Sequence, residues 1–407
     1  MRHSMRAATW VAGVVMAAFV VGGAVTLWAA EPVKDEAVAA PAGGVAVAPV
    51  VEKLEEARKP APRIQVALLL DTSGSMGGLI KQAQAQLWKI VNEYATMKKD
   101  GVRAEVEVAL IQYGSGRLPA SDGYMRMILP LSRDLDKASQ ELFALTSTGS
   151  VELCGQAIQT AVDKFQWSKD SKDLKAIFIA GNEEFTQGSV DYRAACKAAI
   201  AKGIVVHTIY CGDINEGART GWKDGAALAD GSYMAIDKDT QVAAIAAPQD
   251  KEIAKLGEEL NKTYVSYGAK GDEGKKVQTE QDANAAKAVP GVAVERVVTK
   301  SSAQYTNAAW DLVDAVTNNV VKIEEVKTEA LPKEMQQMSV EERKAYVEQQ
   351  AGRRAEVQKQ VADLNAERQK YVAEKEKEAA AGGQDSLGAA VTEAASAQAA
   401  KNGYTKE

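Results

Sequence analysis

Three oxygen-bearing side chains, Asp71, Ser73 and Ser75, stand two apart in the run Asp71-Thr72-Ser73-Gly74-Ser75. A carboxylate and two hydroxyls at this spacing can face one ion from a tight turn. An all-oxygen set suits a hard divalent cation, Mg²⁺, Mn²⁺ or Ca²⁺. Gly74, Gly77 and Gly78 let the backbone turn and approach closely. The same residue types also cap helices, so an N-cap cluster is the competing account of the run.

Little else in the chain points to chemistry. Its histidines are His3 and His207, too few for most histidine-based catalysis or zinc binding. His207 lies in IVVHTIY, which reads as a buried strand. There is no Gly-x-Ser-x-Gly elbow and no phosphate loop of the Walker type. A metal-assisted hydrolase using Glu183 or Glu184 as base lacks a nucleophile–base pair, so the expectation is a protein that is not an enzyme. The 49 basic and 55 acidic residues leave a net charge of -6, without the basic surplus that nucleic-acid binding needs. Hydrophobic residues at 46% and charged residues at 26% exclude a disordered chain, a collagen and a polytopic membrane protein.

The elements that must position the oxygen cluster alternate strand with helix. RIQVALLL (63–70) is a continuous apolar run, as in a strand buried on both faces. A helical pattern covers about 79–97. Further strands are expected at 105–113, 124–131 (able to hairpin back), 174–180, 204–210 and 232–236. Helices are expected at 134–145, 152–167, 191–202 and 249–261. This order predicts an α/β fold: a doubly wound, mostly parallel six-stranded sheet with helices on both faces. Ligands of such sheets bind beyond the carboxyl ends of the strands, where Asp71–Gly78, Gly181–Phe185 and Cys211–Asp213 fall.

An apolar strand running into Asp-x-Ser-x-Ser and then a helix resembles the von Willebrand factor type A domain, a Rossmann-like fold, over about residues 63–268. The resemblance implies a metal-ion-dependent adhesion site with Asp71, Ser73 and Ser75 as its first ligands. It also implies a cation, Mg²⁺ before Mn²⁺ or Ca²⁺, with an open position completed by an Asp or Glu of a protein partner. Two positions depart from the family. Where a threonine is expected, Thr148-Gly149-Ser150-Val151-Glu152 places Val151, with Ser150 or Glu152 as substitutes. Where an aspartate is expected, Ala180-Gly181-Asn182-Glu183-Glu184 offers Asn182 or Glu183. The site is therefore an altered one.

Cys154, Cys196 and Cys211 cannot all pair, and no Cys-x-x-Cys suggests redox exchange. Cys154 and Cys211 fall near the ligand edge and form the candidate disulfide, with three buried free thiols as the alternative. Arg219, Trp222, Lys223 and Asp224 are candidate partner contacts, set against a plain solvated loop.

The flanks suggest location and assembly. Arg2, His3 and Arg6 precede an apolar run from Ala7 to Ala30, as in an export signal or N-terminal membrane anchor, followed by an Ala/Pro-rich linker over 31–62. The protein is expected in the periplasm or cell envelope. Residues 269–330 read as a polar connector with one helix around Tyr305–Val321. Residues 331–407 read as a helical tail. Ser339 and Glu342 form a capping box for a helix running to about Ala380. Val357, Val361, Leu364 and Tyr371 lie on a heptad seam interrupted by Arg354, Arg368 and Lys375, a partial coiled coil. The tail either folds on its own domain or mediates homo-oligomerisation. A metal-independent envelope scaffold acting through this tail is the alternative function.

Overall fold

The strand β1 (Arg63–Asp71) is buried along nearly its whole length, and its side chains alternate between two cores. Ile64, Val66, Leu68 and Leu70 enter one, Ala67 and Leu69 the other. That alternation follows from the two-residue period of a strand. It explains the unbroken apolar run: both faces must be covered. The computed structural model describes residues 61–149, 151–236, 245–288, 291–381 and 387–406. The expected export segment, the linker up to residue 60 and Ser150 lie outside the described residues.

The strands β4 (Glu105–Tyr113), β5 (Arg126–Ser132), β6 (Leu174–Gly181), β7 (Ile204–Cys211) and β8 (Tyr233–Ile236) join β1 in the order β5-β4-β1-β6-β7-β8. All neighbours are parallel except β5, which hairpins back on β4. The expected six-stranded sheet is thus present, close to its expected bounds. A second small sheet joins β2 (Met97–Lys99), β3 (Val102–Arg103) and the C-terminal β9 (Thr405–Lys406).

One face carries α3 (Cys154–Lys164), α4 (Tyr192–Ala201) and α6 (Trp222–Leu228), the last preceded by the short α5 (Ile214–Arg219). Asp191 caps α4 by accepting from the Arg193 amide. The other face carries α1 (Gly77–Ala95), α2 (Leu135–Phe143) and α7 (Asp250–Asn261), with Asp134 capping α2.

Beyond residue 268 the chain is more ordered than its polarity suggests. All described residues fall within one compact unit, Pro60–Glu407. The expected polar connector contains α8 (Gly271–Lys287) and α9 (Val292–Ser301). Gln278 and Gln281 of α8 are buried because distant groups satisfy them: the Gln278 amide donates to Tyr305 Oη at 3.1 Å, and Ser139 Oγ donates to Gln281 at 3.0 Å. The helix expected over Tyr305–Val321 shortens to α10 (Leu312–Thr317). Asp311 caps it, Asn319 at φ 56° ends it, and Val320 is exposed.

The long α11 (Val340–Ala381) starts on the expected capping box. The Ser339 amide donates to Glu342 Oε2 at 2.7 Å, and the Glu342 amide donates to Ser339 Oγ at 3.2 Å. Its seam faces the chain's own core, with Val357 and Val361 buried there. The arginines interrupting the seam meet carboxylates. Arg354 pairs with Asp311 and Asp314 at 2.7 and 2.6 Å, and Arg368 pairs with Asp250 and Glu295 at 2.7 Å each. The last helix, α12 (Leu387–Lys401), lies against α1 and β8 and buries Val391, Ala394, Ala395 and Ala399 in the core.

Candidate metal site

The sheet delivers Asp71 at the carboxyl end of β1 with no exposed surface. Asp71 Oδ1 accepts the Ser73 amide at 2.7 Å, and Oδ2 accepts the Ser73 hydroxyl at 3.2 Å. Ser73 Oγ lies 3.2 Å from Ser75 Oγ, and Ser75 donates to Asn182 Oδ1 at 3.2 Å. Four side chains from two neighbouring strand ends therefore form one line of oxygens. With Ser73 directing its proton to Asp71 and Ser75 to Asn182, lone pairs of both hydroxyls remain available to a cation.

The capping account fails on this geometry. Ser73 precedes a 3₁₀ turn, Gly74–Met76, and makes no side-chain cap bond; the first residue before α1 is Met76, which makes none either.

Three loops are tied into one platform. The Thr72 amide donates to Tyr113 O, Thr148 N to Thr72 O and Gly74 N to Gly149 O, each at 2.8 Å, and Gly116 N donates to Thr148 O at 2.9 Å. At two positions only glycine fits. Gly149 has φ +108°, and a Cβ there would stand 2.1 Å from Gly116 N; at Gly114, φ +79°, it would stand 2.4 Å from Asp71 Oδ1.

From the loop where a threonine is expected, the structure sets Glu152 against Asp71 and Ser73. Glu152 is 1% exposed, beside Asp71 and Ser73, with the Glu183 backbone N–H also on its carboxylate. Its Oε2 has no hydrogen-bond partner. Burial, then the Glu152 carboxyl by hydrogen bonding and charge, pushes Asp71 up to about 9. Burial likewise raises Glu152. Two carboxyls this close and this dry cannot both ionise without a cation. Of the two aspartate substitutes, Asn182 joins the oxygen line. Glu183 stands next to it, but its carboxylate accepts from Gln187 Nε2 at 3.3 Å.

The donors suit a hard cation: carboxylates, hydroxyls and an amide oxygen, with one buried carboxylate oxygen unpartnered. Among the described residues no group of three or more His, Cys, Asp or Glu side chains is arranged as a metal cluster, so hydroxyls and the amide must complete any shell here.

Three expectations are corrected. Trp222 is not a partner contact: it is fully buried against Phe185 and Tyr210, and its indole N–H donates to Glu183 O at 2.8 Å. Its segment is two short helices rather than a solvated loop, and Asp224 is engaged by Tyr192 and Arg193. The Cys154–Cys211 bridge is absent. All three cysteines are free and buried, and these two belong to cores on opposite faces of the sheet. His207 is a satisfied core residue, as expected. Ser232 N donates to Nδ1 at 3.0 Å, which leaves Nε2–H to donate to Gln398 at 3.1 Å.

Glu152 was legible as a substitute in the loop. Its pairing with Asp71 was not, because 81 positions separate them (152 minus 71).

Residues 65–221 match the sequence model of the von Willebrand factor type A domain. No curated protein matches the chain. Solved structures similar to it include the conserved hypothetical protein BatB from Bacteroides thetaiotaomicron, 18% identical, covering 43% of this chain and 90% of that one at a TM-score of 0.33. The SpRpn10 VWA domain is 16% identical, covering 44% of this chain and 89% of that one at 0.34. Proximal thread matrix protein 1 from the mussel byssus, with a zinc-occupied MIDAS motif, is 13% identical, covering 44% and 43% at 0.34. By its fold, its strand order and the matched segment, the chain carries a von Willebrand factor type A domain over residues 65–221, built into a larger helical framework.

Proposed function

We propose that this chain is an exported, non-enzymatic protein-binding module whose ligand edge holds a divalent cation in an altered adhesion site. The observation that carries this reading is the oxygen line Asp71–Ser73–Ser75–Asn182 at the joined ends of β1 and β6. Asp71, Ser73, Ser75, Asn182 and Glu152 would hold the ion, Mg²⁺ first, with Mn²⁺ or Ca²⁺ as alternatives. When bound, the ion supplies fixed positive charge that neutralises the buried carboxyls. The chain's own part is to hold the three loops rigid and present their rim to a protein.

The non-enzymatic reading is supported by the reactive side chains. Among the described residues the one histidine is buried, and the cysteines are buried thiols. The envelope location rests on residues 1–30. No helix among the described residues is long and apolar enough to cross a membrane. The scaffold alternative, acting through the tail, is disfavoured by Arg354, Arg368, Val357 and Val361, which are engaged within the chain.

Calorimetric titration of the full chain with Mg²⁺, Mn²⁺ and Ca²⁺, against Asp71→Ala, tests this. Binding lost in the variant is the expected result. Equal binding by both, or none by the wild type, would overturn the cation site.

A further inference from the structure

Glu152 changes what this edge can recognise, an inference that rests on the cation reading above. By resemblance, the threonine of a complete site offers the ion a neutral oxygen, and a partner's Asp or Glu brings the carboxylate. Here the loop where that threonine is expected already supplies a carboxylate. Glu152 is 1% exposed, faces Asp71 and Ser73, and has an unpartnered Oε2. A buried, unpartnered charged oxygen is costly. A divalent cation between Asp71 and Glu152 removes that cost and leaves the pair electrically neutral.

We propose that Glu152 is the internal acidic ligand of this site: it does what a partner's carboxylate does in the family, closes the site to acidic groups, and leaves the rim to a basic segment of a partner protein. The rim has the matching charge. Glu183 is half-buried, and Glu184, Asp213 and Glu216 are exposed, in the chain that follows β6 and β7. After burial itself, Glu216 and then Glu183 raise the Tyr210 phenol. Arg117 and Arg219 are the only basic residues of the described segments 72–76, 114–125, 182–191 and 212–220. A neutral ion site inside an acidic rim repels a carboxylate and attracts lysine and arginine.

The test uses the full chain as wild type, Glu152→Thr and Glu152→Gln, the last preserving shape and an oxygen donor. Mn²⁺ is titrated first, then acetate into the Mn²⁺-loaded protein. The wild type should bind Mn²⁺ about tenfold more tightly than either variant and take up no acetate, whereas loaded Glu152→Thr should bind acetate. Equal Mn²⁺ affinity in all three, or acetate binding to the loaded wild type, overturns the proposal while leaving the cation reading standing. Absence of Mn²⁺ binding by the wild type overturns both. Tetralysine should bind the loaded wild type and weaken about tenfold in the Glu183→Gln/Glu216→Gln double variant. Unchanged binding there overturns the basic partner.

Discussion

His207 Nε2 donates to Oε1 of Gln398 at 3.1 Å, although 191 positions separate them. The same Gln398 donates to Lys175 O at 3.0 Å and accepts from Tyr94 at 3.3 Å. The ring stacks on Phe178 with centroids 4.6 Å apart. One amide of the last helix thus joins strands β6 and β7 and helix α1.

This arrangement makes stability depend on pH. Burial pulls His207 down to about 4, against an ordinary 6.5, only partly offset by Gln398. The unfolded chain binds a proton between those values and the folded chain does not, so the His207 contribution to stability is full above about 6.5 and is lost as pH falls toward 4. The loss should reach roughly 3 kcal/mol. Urea unfolding at pH 7 and pH 4.5 checks it, and His207→Phe should flatten that part of the profile.

Asp71 and Glu152 predict the opposite slope in cation-free protein. Because Asp71 is raised to about 9, the folded state holds a proton that the unfolded state has released. The Asp71 contribution is then fully present at low pH and is lost as pH rises toward 9. Asp71→Asn should raise Tm in EDTA at pH 8 and abolish cation binding. A lower Tm for that variant would contradict the strain assigned to the pair. Cation binding by the wild type should strengthen from pH 6 to pH 8 and release a proton, measurable as a buffer-dependent heat.

Gly114→Ala should separate the site from the fold. Its Cβ would meet Asp71 Oδ1 at 2.4 Å from a φ of +79°. The expected result is loss of cation binding with a stability cost of about 1–3 kcal/mol, read by calorimetry and thermal melting. Retained cation affinity would show that the loop relaxes freely.

Arg354→Leu tests the helical framework. It would strand Asp311 and Asp314, of which Asp314 is already raised to about 6, by burial and then by Asp311, with Arg354 in place. Removing one partner of a buried ion pair costs about 3–5 kcal/mol, and the Tm of Arg354→Leu should fall accordingly. An exposed pair such as Lys359–Asp363 should show little change when Lys359 is replaced by Ala.

The cysteines give a simple chemical check. Burial raises the thiols of Cys154, Cys196 and Cys211. Alkylation without reductant should label none in the native protein and all three in guanidinium. A Cys154–Cys211 peptide in a non-reducing digest would contradict the separation of the two cores.

Local pattern determined the sheet. Continuous apolar runs can satisfy a parallel strand only when both faces are covered, so RIQVALLL, LKAIFIA and IVVHTIY marked β1, β6 and β7 and placed Asp71 and Asn182 at strand ends. The capping box at Ser339 and Glu342 was equally legible, because its partners lie three residues apart. Tertiary structure decided everything that needed a partner far along the chain. The polar stretch 271–287 is a buried helix because Tyr305 and Ser139 satisfy its glutamines. Arg354 and Arg368 enter the core because α7, α9 and α10, with the residues that begin or precede them, bring carboxylates to them. Trp222 is hidden because Phe185 and Tyr210 converge on it. Glu152 became part of the site only when the fold set it against Asp71. A buried charge is stable only with its counter-group in place, and spacing along a chain does not show which distant group that will be.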